Sequence, residues 1–193
     1  MKSGNVHRWF LLGCLAEIFL FGVALALGWL FKQPLLATLR WRADDAVLGI
    51  AGAFPLLVLF WWMLRSRLRP LAEIRDFLEA VVRPVFGQWP VPQLAVISVL
   101  AGVCEESLFR AVIQGGLTRA VGLEAALVLA SVLFGACHFV NWAYAITATL
   151  IGLYWGALWL FTGNVLAPAV THAVYDFAAL VYFLRICRPQ GTV

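Results

Sequence analysis

A chain of 193 residues that is 63% hydrophobic and only 12% charged lies far from the composition of soluble domains, in which about 25% of residues are charged. With repeated apolar runs close to the length of a bilayer crossing, that composition describes a polytopic membrane protein. The formal net charge of +4 is small, and no basic run interleaves with aromatics outside the apolar segments, which excludes nucleic-acid binding.

Six hydrophobic segments follow one another: Trp9–Phe31, Ala46–Leu64, Val91–Gln114, Leu123–Phe139, Tyr144–Phe161 and Val165–Cys187. The expected fold is all-α, a transmembrane helical bundle of about six spans with one further helix lying on the membrane surface. The first segment has features of a signal peptide, with "KSGNVHR" as a basic lead and "ALA" at Ala24–Ala26 as a cleavage-like site. Its apolar run continues past that site, so an uncleaved first helix is expected.

Between the second and third segments stands "RSRLRPLAEIRDFLEAVVRPVFGQWP". Leu71, Ile74, Leu78, Val81 and Val82 recur at helical spacing with charges on the other face, the pattern of an interfacial helix, expected to end near Pro84. Three parts result: residues 1–90 with two spans and this amphipathic connector, a helical core over 91–187, and a short tail at 188–193.

Basic residues set the expected orientation. Lys2, Arg8, Arg65, Arg67, Arg69, Arg75, Arg83, Arg185 and Arg188 would share one side, and Lys32, Arg40, Arg42 and Arg119 the other. Both termini are therefore expected in the cytoplasm, the chain being integral to a bacterial-type inner or plasma membrane. Most of the tryptophans fall near segment ends, as interface anchors do, while Trp155 and Trp159 are expected to pack deeper. Ala148, Gly152 and Gly156 in the fifth segment mark a face for close helix packing. Cys14, Cys104, Cys137 and Cys187 show no metal-type spacing and read as buried small hydrophobes.

The third segment contains "CEESLFR", Cys104–Arg110. Each ionised side chain near a span centre costs roughly 2.5–3.5 kcal/mol, so these three nominally cost about 7–10 kcal/mol unless satisfied or used. Glu106 and Arg110 are spaced to pair along the helix. Glu105 points about 100° away and has no partner in its segment, which makes it a candidate general base for a water. Later segments add "LFGACHF", with Phe134 and His138 one turn apart, and "APAVTHAVYDF", with His172 and Asp176 one turn apart. Each feature alone has a structural reading as an ion pair or interhelical brace; three segments sending such groups inward do not. Glu17 in the first segment is expected to snorkel or bond a neighbour, and His7 to be solvated.

The succession E-E-x-x-x-R, F-x-x-x-H and H-x-x-x-N/D resembles the CPBP family of intramembrane proteases, which includes type II CAAX prenyl endopeptidases and bacteriocin-processing relatives. The motifs stand here as Glu105–Arg110, Phe134–His138 and His172–Asp176, and the likeness covers about Val91 to Phe183. The resemblance implies hydrolysis of a peptide bond in a membrane-associated, lipidated or C-terminally anchored protein substrate within the lipid bilayer. Glu105 would be the general base, His172 would help hold and polarise the water, and His138 would meet the substrate carbonyl and its oxyanion. Asp176 stands where the family often has Asn, and would be protonated or orient His172 or the water. Glu106 and Arg110 would hold the helix and keep Glu105 aimed.

Zinc ligation by Glu105, His138 and His172 is possible. Metal-free glutamate catalysis is the preferred reading, because H-E-x-x-H is lacking and Asn would be a poor zinc ligand. Counting residues along the spans puts Glu105 and His172 in the outer half of the bilayer, but leaves His138 on the order of 10 Å away in depth. An outer site would suit a sorting protease of the myxosortase-like kind. The rival from another class is a non-enzymatic carrier or scaffold that uses the buried carboxylates; the absence of any evident internal repeat speaks against a carrier.

Overall fold

The computed structural model describes residues 3–33 and 35–187. Lys2, Arg188 and the tail at 188–193 lie outside them. All regular structure among the described residues is helical, as required where backbone groups have no water to bond and each segment must satisfy its own. The first segment forms α1, Ser3–Leu30. A short α2, Leu35–Thr38, precedes α3, Ala43–Arg65. The connector forms α4, Arg69–Phe77, a widened i→i+5 stretch over Leu78–Val82, and α5, Arg83–Phe86. It therefore continues through Pro84, where termination was expected. Proline is tolerated there because the widened turn that precedes it leaves room for its ring and its missing N–H.

The third segment is α6, Val91–Glu106, which passes directly into i→i+5 turns over Ser107–Gln114 and then α7, Gly115–Val121. The fourth is α8, Leu123–Cys137, the fifth α9, Trp142–Thr162, and the last α10, Leu166–Val181, extended by a widened turn over Tyr182–Ile186. The side chain of Asn141 caps the start of α9 by accepting the Tyr144 N–H at 2.8 Å. Gly163 ends that helix at φ 61°, a conformation glycine adopts without strain.

Among the described residues, four helices are long and apolar enough to cross a membrane: α1, α3, α9 and the extended α10. The chain is an integral membrane protein. In contrast, α8 has 15 residues and is about 22 Å long, short of a hydrocarbon core of about 30 Å.

Within the bundle, α10 packs against both α6 and α3, α1 runs along α6, and α8 pairs with α9. The small-residue face of α9 does what its spacing implied: Ala148, Gly152 and Gly156 are buried, and a Cβ on Gly152 would touch the Ser131 backbone of α8 at 3.4 Å. Polar latches tie each end. At one, the Asn164 amide donates to the Arg40 carbonyl and the Asp45 carboxylate, both at 2.7 Å. At the other, Arg185 donates to the Gly87 and Trp89 carbonyls, and Arg75 donates to the Met63 and Ser66 carbonyls that end α3. All four cysteines are free thiols.

Candidate active site

A buried polar row crosses from α6 to α10. Arg110 and Glu106 are fully buried, and the Arg110 Nε donates to Glu106 Oε2 at 2.7 Å, the pair expected from their spacing. The other oxygen of Glu106 accepts from His172 Nδ1 at 3.1 Å. Glu106 therefore aims His172, a task the sequence reading had not given it. His172 Nε2 in turn faces Asp176 Oδ2 at 3.3 Å. The Glu106 carboxylate, paired with a guanidinium, accepts from Nδ1, which leaves Nε2 as the ring nitrogen that meets Asp176. Asp176 thus partners His172, one of the roles open to it from the sequence.

His172 is also clamped by packing. Its imidazole stacks on the Trp155 indole, with centroids 3.9 Å apart and planes 15° from parallel. Trp155 is buried, as expected, but its role as a plate beneath a site histidine was not legible, since one tryptophan among nine carries no mark of its partner.

The second pair is Glu105 and His138. Glu105 is nine-tenths buried, and its Oε2 has no hydrogen-bond partner. His138 Nε2 stands 3.6 Å from that oxygen. His138 Nδ1 lies 2.8 Å from the Phe134 carbonyl, which can only accept, so Nδ1 carries a hydrogen and Nε2 is the nitrogen left to exchange a proton with Glu105. Phe134 also stacks on the His138 ring at 4.2 Å. The phenylalanine of F-x-x-x-H thus fixes both the tautomer and the plane of its histidine.

The depth mismatch expected for His138 is absent. His138 stands at the end of α8, a helix too short to cross a bilayer, with its Nε2 3.6 Å from Glu105. Beyond the turn that follows, Tyr144 packs edge-on against Phe77 of the amphipathic connector.

Glu105, His138, His172 and Asp176 line one cavity of about 320 Å³. From them it runs to Ile74, Leu78, Val82 and Phe86 of the amphipathic connector, which forms one of its walls. The cavity thus leads from these groups toward the end of the bundle where the connector lies. Glu17 of α1 also lines this cavity. Its Oε2 is buried without a hydrogen-bond partner, so it bonds no neighbouring side chain there. Only its acidic character within an apolar run hinted at this in the sequence.

Zinc would use Glu105, His138 and His172. Of these, His172 has a carboxylate facing each ring nitrogen, Glu106 at Nδ1 and Asp176 at Nε2.

Fold and cluster together define a helical membrane protein with a Glu–His and a His–Asp pair at the inner end of a largely apolar cavity. Residues 87–178 match the family described as "Type II CAAX prenyl endopeptidase Rce1-like". The resemblance carried by the three motifs holds over this segment, which contains Glu105, Glu106, Arg110, His138, His172 and Asp176. The chain is also similar to "Uncharacterized protein YpbD" of Bacillus subtilis (strain 168), at 29% identity over 113 residues, 56% of either chain. It thus spans about half the length of that relative. No solved structure matches.

Proposed function

We propose that the protein is an intramembrane endopeptidase in which Glu105 activates a water to hydrolyse a peptide bond of a membrane-associated protein. The observation that carries this reading is the unpartnered, buried Glu105 oxygen facing His138 Nε2 across 3.6 Å at the end of a substrate-sized cavity. A water held between Glu105 and the His172–Asp176 pair loses a proton to Glu105 as its oxygen bonds the carbonyl carbon. The carbonyl π electrons move to oxygen, and His138 Nε2, carrying a proton exchanged with Glu105, meets that oxyanion. When the C–N bond breaks, the leaving nitrogen takes the proton, and the carboxyl product departs.

Metal-free catalysis is part of the proposal, because two acid–imidazole pairs already supply the base and the proton donors this sequence of steps needs. The connector as a cavity wall supports substrate entry from the side on which it lies, the cytoplasmic side by the count of basic residues. That route favours a lipidated or membrane-anchored protein presented at that surface over an exported sorting substrate.

The test is a search for cleaved peptides in membranes from cells producing the wild type or His138→Ala. Wild type should generate cleavage products that the variant, present at equal level and folded, does not. A carrier or scaffold would leave the peptide profile of wild-type membranes the same as that of membranes lacking the protein.

A further inference from the structure

Three carboxylates face the cavity, Glu17, Glu105 and Asp176, and no Lys or Arg among the described residues lines it. Arg110 sits behind the cluster, fully buried and bonded to Glu106. Glu105 has its role in the proposed hydrolysis and Asp176 is held against His172; Glu17 has neither a partner nor a step. It also lies outside the segment that matches the family.

Its height in the bundle follows from helix packing. A Cβ on Gly13 would meet Ile97 at 3.3 Å, and one on Gly28 would meet Val112 at 3.5 Å, so α1 and the third span run parallel in a constant register. Glu17, one turn beyond Gly13, is therefore level with Ala101, one turn before Glu105. That is about 6 Å along the helix axis, toward the end where the connector lies. An extended peptide rises about 3.3 Å per residue, so this distance corresponds to about two residues of bound substrate.

We infer that Glu17 is a specificity-determining residue that accepts the cationic side chain of a Lys or Arg about two residues from the cleaved bond. The physical reason is charge compensation: a carboxylate held in an apolar cavity without a counterion gains most from a substrate that brings one. A substrate chain end bearing a free carboxylate beside Glu17 meets only like charge. This inference rests on the protease reading of the same cavity.

The experiment compares new C-termini, by peptide mass spectrometry, in membranes from cells producing wild type, Glu105→Ala, Glu17→Gln or Glu17→Lys. Wild-type sites should be enriched in Lys or Arg about two residues from the cut. Glu17→Gln should lower cleavage at those sites by about tenfold, the loss of one charge-assisted bond, and Glu17→Lys should shift the preference toward Asp or Glu. Wild-type cleavage without basic enrichment, or an unchanged preference in both variants, overturns the inference while leaving the protease reading standing. Loss of all cleavage in folded Glu17→Gln also overturns it, by making Glu17 part of the chemistry. A wild-type profile identical to that of Glu105→Ala overturns the protease reading itself.

Discussion

Glu105 is the residue on which the proposed chemistry turns, and its isolation is its qualification: nine-tenths buried, with one oxygen facing only the Nε2 of His138. Replacing it with Gln keeps the shape and removes the base, so cleavage should fall about 10²–10⁴-fold, as expected for loss of general-base catalysis, while thermal unfolding in detergent is little changed. Arg110 makes the opposite prediction. Arg110→Met leaves the Glu106 carboxylate buried and half-paired, at a cost of about 3–5 kcal/mol in unfolding free energy; the double variant with Glu106→Gln should unfold less readily than Arg110→Met alone, yet still cleave poorly because His172 Nδ1 no longer faces a carboxylate. These charged residues were legible in the sequence because an ionisable group in an apolar run must be explained. The Trp155 plate and the second bond of Glu106 were not, because both depend on which helix lies opposite.

At the scale of elements, the site requires α6 and α10 to approach closely, and Gly102 permits it. A Cβ there would lie 2.5 Å from the Ala169 carbonyl oxygen and 2.9 Å from the Ala173 nitrogen. Gly102→Ala must therefore push the two helices apart, lengthening the Glu106–His172 bond that spans them. A cost of about 1–3 kcal/mol is expected from overpacking, read by thermal unfolding, together with a fall in turnover larger than in the control Gly22→Ala, where a Cβ meets nothing within 4 Å. Four of the six apolar runs match the observed helices closely, since continuous hydrophobicity in a membrane protein leaves few alternatives to helix, whereas α1 begins at Ser3, ahead of Trp9, and the helical run from Val91 continues past Gln114 to Val121. Two features of the elements were hidden. The widened turns at Ser107–Gln114 leave hydrophobic periodicity unaltered enough to escape notice, and the height of α8 beside α6, which sets His138 next to Glu105, depends on helix packing that a residue count along each span does not carry.

Across the whole molecule, the architecture has a latched end and a chemical end. Asn164 ties the loop carrying Arg40 and Asp45 to the α9–α10 turn, at the end of the bundle away from the connector, whereas the cavity leads toward the connector. Asn164→Ala should lower the unfolding free energy by about 1–3 kcal/mol, the cost of leaving buried partners unsatisfied, with turnover per folded molecule unaltered, as read by titrating folded protein against product. The most direct measurement for the account as a whole is C-terminal peptide mass spectrometry on membranes incubated in ¹⁸O-labelled water, comparing wild type with Glu105→Ala. New C-termini carrying one ¹⁸O atom are expected in the wild type and none of them in the variant; identical peptide profiles, with both proteins present and folded, would contradict hydrolysis by a Glu105-activated water.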